Sequence, residues 1–299
     1  MKSHVGLSRV LGMVFCVSLL MGGGAYAQVA IATSTGSNAG FVPMYVDAKA
    51  IKDRFSSITA EDMDMLRRKK ILFGSRSFGG NTLNGLKILA QQDKKYDLLS
   101  SYQNFDTPKA KDDLGIIPAD IFTKVIFVHF YVAGWPLNKR VDQMDELLRK
   151  EPHNFGKTVD VVFMYCEDYQ PAAFDYYSQK MDAMRADFPN IKFIYACSGF
   201  HGALYDAKNN ERAHAFSDEM RERYLGKVPL FDMGKILSDD FRVGHVFCPE
   251  YSNDPTGGHP NLPAGETTLA KGFLLMLRDA FSAPAMGSGT SARGAAVKP

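Results

Sequence analysis

The sequence predicts an α/β fold, a three-layer sandwich in which a central parallel sheet lies between two layers of helices. Three observations predict it. Short apolar runs suited to buried strands recur along the 299-residue chain, at 70–73, 125–132, 159–165, 191–196 and 228–231. Segments of helical length and period separate them. The first run leads directly into a Gly-rich turn, Gly74-Ser75-Arg76-Ser77-Phe78-Gly79-Gly80-Asn81. Strands divided by helix-length crossovers run in one direction, and such a sheet is covered on both faces.

The elements follow in order. Residues 1–27 read as a secretory signal. Lys2 and Arg9 form a basic start, an apolar run extends from Val10 to Met21, and Ala25-Tyr26-Ala27 offers the small residues that a signal peptidase accepts. The apolar run falls short of the roughly 20 residues that span a bilayer, so a membrane anchor is not expected. Residues 28–57 lack periodicity and read as an N-terminal arm packed on a domain that runs from 58 to 282. Residues 60–69 are charged and helix-prone. After the turn at 74–81, Leu83, Leu86, Ile88 and Leu89 share one helical face. A helix is expected at 139–150, with Val141, Met144, Leu147 and Leu148 inward, and others at 171–187, 210–224 and 267–281. The tail, 283–299, is rich in Gly, Ser and Ala and is expected to be disordered.

Charge excludes some partners. Removal of residues 1–27 takes away Lys2 and Arg9 and no acid, which leaves basic and acidic residues in equal number. Nucleic acid and anionic membranes both call for excess positive charge, so neither is expected as a partner. Cys166, Cys197 and Cys248 remain after the signal. Two of them pairing in an oxidising compartment and all three being buried thiols are both open readings. No Cys or His stands at metal-ligand spacing, and no cofactor is expected. His201 and His214 read as surface residues. Trp135, Tyr165, Tyr169, Tyr176, Tyr177 and Phe200 flank strand ends, where aromatic rings either stack on sugars or pack the core and its rim.

Chemistry concentrates at the carboxyl ends of the strands, where open parallel sheets bind ligands. A serine on a strand-to-helix turn is lifted from the sheet with helix amides facing whatever binds above it. Ser77 meets that description, and Phe78, Gly79, Asn81 and Gly134 are candidates for oxyanion or substrate contacts. Ser75 is a rival nucleophile that sits too early relative to the helix. Late in the chain, Asp254-Pro255-Thr256-Gly257-Gly258-His259-Pro260-Asn261 places a histidine in a Gly-rich loop before the last helix, with Asp254 as the acid to orient it.

These motifs, in this order, resemble the SGNH/GDSL hydrolase superfamily, which is flavodoxin-like in fold. The closer similarity is to a bacterial branch with a Gly-His-x-Ser-x-Gly nucleophile motif and an Asp-Gly-Gly-His-Leu-Asn histidine motif. Here they read Gly74-Ser75-Arg76-Ser77-Phe78-Gly79 and Thr256-Gly257-Gly258-His259-Pro260-Asn261, with His129-Phe130, Gly134-Trp135-Pro136, Asp160 to Met164 and Phe231-Asp232-Met233 between them. The resemblance covers about residues 70–281 and implies Ser77 as nucleophile and His259 as base. The chain departs from it twice. Thr256 stands where the orienting acid belongs, and Cys166-Glu167-Asp168 stands where an oxyanion-donating Asn is common. The expectation is a periplasmic or secreted serine esterase or deacylase acting on a small-molecule or glycan ester, with envelope proteins as further partners. The alternatives are a hydrolase-fold protein that lost activity and serves in binding or scaffolding, and an acyltransferase using the same nucleophile.

Overall fold

The structure, a computed structural model, describes residues 44–105, 113–132, 137–165, 173–254 and 256–282. Its strands are β1 (Tyr45–Val46), β2 (Ile71–Ser75), β3 (Tyr102–Phe105), β4 (Phe127–Tyr131), β5 (Val161–Met164), β6 (Lys192–Ala196) and β7 (Leu230–Phe231). They form one seven-stranded sheet in the order β1-β7-β6-β5-β2-β4-β3, and every pairing is parallel. The central strands β4-β2-β5-β6-β7, counted along the chain, follow the flavodoxin-like order 2-1-3-4-5. From β2 the chain goes out to β3 at the sheet edge, returns to β4 beside β2, and then crosses to β5 on the other side of β2. Open parallel sheets bind ligands beyond the carboxyl ends of the strands at such a reversal, which here falls between β2 and β5.

The α-helices among the described residues are α1 (Ala48–Arg54), α2 (Ala60–Leu66), α3 (Ser77–Gln92), α4 (Leu137–Arg149), α5 (Ala173–Asp187), α6 (Ala207–Tyr224), α7 (Met233–Ser238) and α8 (Pro263–Ser282). Alternation along the strands sorts the core. Ile71, Phe73, Phe127, Val161, Phe163, Tyr165 and Phe231 face the layer built by α1, α2, α3, α7 and α8. Leu72, Val128, Phe130, Val162, Met164 and Tyr195 face α4, α5 and α6. On the first face Phe73 lies 5.0 Å from Phe273 of α8, which stacks on Phe163 at 4.9 Å. Offset and edge-on aromatic contacts of this kind add about 0.5–1.5 kcal/mol each beyond their area.

Two features differ from expectation, and one open alternative is narrowed. Residues 44–57 are part of the sandwich: β1 pairs with β7 at the sheet edge, and Met44, Val46, Ala48 and Ile51 are buried. The domain therefore begins inside the stretch that reads as an arm, because a two-residue edge strand leaves no periodic trace. Strand β3 also went unpredicted, for its residues Tyr-Gln-Asn-Phe are half polar and partly exposed. Cys197 and Cys248 are buried and unbridged, which favours the thiol reading for these two; Cys166 lies outside the described residues. So do the signal at 1–27, residues 28–43 of the arm, and the tail at 283–299. Among the described residues no helix is long and apolar enough to cross a membrane.

Candidate active site

Ser77 is the first residue of the 16-residue helix α3, two positions past the end of β2 and half-buried. Its place at the helix N-terminus puts it beside the amides of Ser77 and Phe78, which have no intrahelical acceptor. The next residue, Phe78, is buried and carries the geometry of the site. Its ring is 5.7 Å from the ring of His259 and 5.8 Å from that of His201.

The two histidines come from different loops that are tied together. His201, after β6, is 2.8 Å from the Gly258 carbonyl through Nδ1. A carbonyl only accepts, so Nδ1 carries the proton and Nε2 the lone pair. The amide of Gly202 donates to the Gly257 carbonyl at 3.3 Å. The His201 amide donates to Asn210 Oδ1 at 2.8 Å, anchoring that loop to α6. A Cβ on Gly258 would stand 3.1 Å from His201 Nδ1, tighter than side chains ordinarily pack, so a larger residue would have to push that ring aside. The His259 loop is thus held by backbone to a buried imidazole, and His259 is delivered beside the first turn of α3. Burial lowers the pKa of His259 below its ordinary value. It does the same for His201, opposed in part by the bond to Gly258. Both rings are accordingly neutral near pH 7.

The remaining expected residues fall out differently. Asp254 does not reach His259. Its Oδ1 accepts from the Thr256 amide at 2.9 Å and from the Thr256 hydroxyl at 2.6 Å, closing a tight exposed turn. Among the described residues, His259 and Ser77 make no side-chain hydrogen bond, to each other or to a carboxylate. Asn81 turns away from the site and donates to Glu266 Oε1 of α8 at 3.2 Å, beside Asn84 at 3.1 Å. The Gly79 amide is committed to the Arg76 carbonyl at 2.8 Å, so it is no oxyanion donor in this state. Gly134, Trp135, Glu167, Asp168 and Tyr169 lie outside the described residues. Tyr165, Tyr177 and Phe200 are wholly buried, and Tyr176 donates to Asp142, so these four pack or pair rather than line a sugar site.

His201 is buried and His214 half-buried, against the surface reading of both. His214 stacks on His245 at 3.5 Å and pairs with Asp218 at 3.1 Å. A further group went unpredicted. Ser75, at the end of β2, lies 2.6 Å from Nε2 of His129 on β4, and Nδ1 of His129 is 2.7 Å from Oδ1 of Asn104 on β3. One signal for it stood in the sequence: His129 interrupts the apolar run 125–132, and a buried imidazole needs partners. The partner Asn104 sits on the strand that no pattern revealed. Among the described residues, no group of His, Cys, Asp and Glu could hold a metal ion.

No protein-family model and no curated protein matches the chain. Among solved structures, a salicylyl-acyltransferase, SsfX3, from a tetracycline biosynthetic pathway is similar at 14% identity, with a TM-score of 0.29. The match covers 69% of this chain and 53% of that one, so this chain spans about half of its length.

Proposed function

We propose that the protein is an exported serine hydrolase of SGNH type, an esterase or deacylase in which Ser77 is the nucleophile and His259 the base. The observation that carries this reading is the meeting of two separate elements at one point. Ser77 opens α3 just past the carboxyl end of β2, and the loop before α8 packs His259 against the adjacent Phe78. In the reaction, Ser77 Oγ attacks the acyl carbon and its proton passes to His259. The same proton goes to the departing alkoxide, and water then releases the acid by the reverse transfers. A neutral imidazole suits that role, and the free amides opening α3 stabilise the developing oxyanion. Apo sites often show long catalytic contacts that tighten when substrate binds. The substrate class is an acylated small molecule or glycan outside the cytoplasm, following the signal-like start at 1–27.

One observation favours a second reading, a hydrolase-fold protein that binds without turnover. The acid nearest His259 in sequence, Asp254, is spent on Thr256, and loss of the orienting acid costs about 10⁴ in turnover in the best-studied triad. Labelling the purified protein with a fluorophosphonate, followed by peptide mapping, separates the two. The hydrolase reading expects an adduct on Ser77, slow hydrolysis of nitrophenyl acetate, and loss of both in Ser77→Ala. Absence of any adduct at millimolar probe would leave the binding reading. Acyl transfer to an added alcohol, measured in the same assay, tests the transferase variant.

A further inference from the structure

Two residues before Ser77 lies a serine in very different surroundings. Ser75, His129 and Asn104 run as serine, imidazole and amide across three neighbouring strands, on the face covered by α3. Ser75 and His129 are both wholly buried. An amide oxygen only accepts, so His129 Nδ1 donates to Asn104. His129 Nε2 is then an acceptor, and the Ser75 hydroxyl donates to it. The chain of donors has a single direction. Burial pushes the His129 imidazole down to about 3, so it stays neutral and that direction holds across ordinary pH.

The arrangement has the outline of a catalytic triad, yet its oxygen is sealed. A methyl group on Gly79 would overlap Ser75 Oγ and stand 3.3 Å from His129 Nε2. The Cα of Gly79 is therefore the lid on Ser75. The Arg76 carbonyl, which accepts from the amides of Gly79 at 2.8 Å and Gly80 at 3.3 Å, lies 3.3 Å from Ser75 Oγ, whose one proton is given to His129. Ser75 thus touches the first turn of α3 at two points. The helix needs such support, because its N-cap residue is Arg76, which makes no side-chain capping bond. Ser, Thr, Asp or Asn would ordinarily fix a helix start there.

We propose that Ser75, His129 and Asn104 are positioning residues that hold the first turn of α3 on the sheet edge and so set Ser77 and the Phe78 amide against His259. The proposal rests on the reading of Ser77 as nucleophile. Four variants test it: Ser75→Ala, His129→Leu, Asn104→Leu and His129→Gln, whose amide oxygen can accept from Ser75 in place of Nε2. Three quantities are read in each: amide hydrogen exchange over residues 77–82, the rate of fluorophosphonate labelling at Ser77, and kcat and KM for nitrophenyl acetate.

Ser75→Ala should speed exchange in the first turn of α3 about tenfold, because it removes the oxygen packed under Gly79 and leaves the buried His129 Nε2 without a donor. Exchange in the middle of α8 should not change. Labelling and kcat should fall by a similar factor with KM little altered, and Asn104→Leu should follow Ser75→Ala. His129→Gln should recover most of what His129→Leu loses. Unchanged exchange in Ser75→Ala would overturn the proposal. So would a loss confined to KM, or a phosphonate adduct on Ser75. Should His129→Leu fail to fold, Ser75→Ala removes a single oxygen and still decides the matter. If the parent protein is never labelled, the hydrolase reading fails by itself, and the exchange measurement still shows whether the relay holds the turn.

Discussion

At the scale of single residues, the site is governed by how small certain positions must be and by what each polar atom is already doing. Gly79 is the sharpest case, because its Cα closes over the wholly buried Ser75 side chain, and a Cβ there would overlap Ser75 Oγ and Cβ. Gly79→Ala should destabilise the protein by about 1–3 kcal/mol through overpacking, read as a lower urea midpoint at unchanged slope. A variant as stable as the parent would mean the turn is not packed as described. Asp254 makes the opposite case. Its carboxylate serves the Thr256 turn and not the imidazole. Asp254→Asn should therefore change kcat by no more than about threefold, far from the ~10⁴ that follows loss of a true orienting acid. A loss of a hundredfold or more would show that the loop rearranges to bring Asp254 to His259 during the reaction.

At the scale of elements, the pairing of α3 with α8 holds the nucleophile turn and the histidine loop in one frame. Both helices open at the carboxyl edge of the sheet, and the His259 loop runs directly into α8. Close approach is possible because Gly85 of α3 faces the Glu266 backbone, where a Cβ would collide with the carbonyl and stand 2.8 Å from Ala270 Cβ. Glu266, nearly buried, accepts from Asn81 and Asn84 and so fastens the same two helices. Backbone cannot swing aside as a flexible side chain can. Gly85→Ala should therefore push the helices apart, costing about 1–3 kcal/mol and lowering kcat as well as the thermal midpoint. Preserved kcat in a clearly destabilised Gly85→Ala would show that the distance between these helices does not set the site.

At the scale of the whole molecule, neutral buried histidines couple stability to acid. The folded pKa of His129, about 3, lies below its ordinary 6.5, so between those values the unfolded chain binds a proton that the folded protein excludes. Its contribution is complete above about pH 6.5 and is lost as pH falls toward 3, with a slope of about 1.4 kcal/mol per pH unit. His201 and His259 shift in the same direction and steepen the fall. Urea midpoints of the parent should drop between pH 6.5 and 4.5, and those of His129→Gln should drop less, by about one proton's worth of slope. Equal slopes in the two proteins would show that His129 is protonated in the folded state.

Much of the sandwich was legible in the sequence because its causes are local. The runs at 125–132, 159–165 and 191–196 announce β4, β5 and β6, since a strand covered on both faces is apolar throughout. The Gly-rich turn after residue 73 marks the start of α3, and spacing alone places Ser77 on its first turn. What lies in the edge strands was not legible. β1 and β3 are short or half polar, and only pairing with β7 and β4 makes them strands. For the same reason the polar chain through Asn104 and His129 to Ser75 was invisible, as its members are 25 and 54 residues apart. Sequence by itself determined which residue types stand at the strand ends. Only the tertiary structure decided which of them meet: it gave Asp254 to Thr256, His201 to the loop that carries His259, and His129 to Ser75. Hydrogen bonds between distant elements depend on where the sheet order brings them, and no local pattern of residues encodes that order.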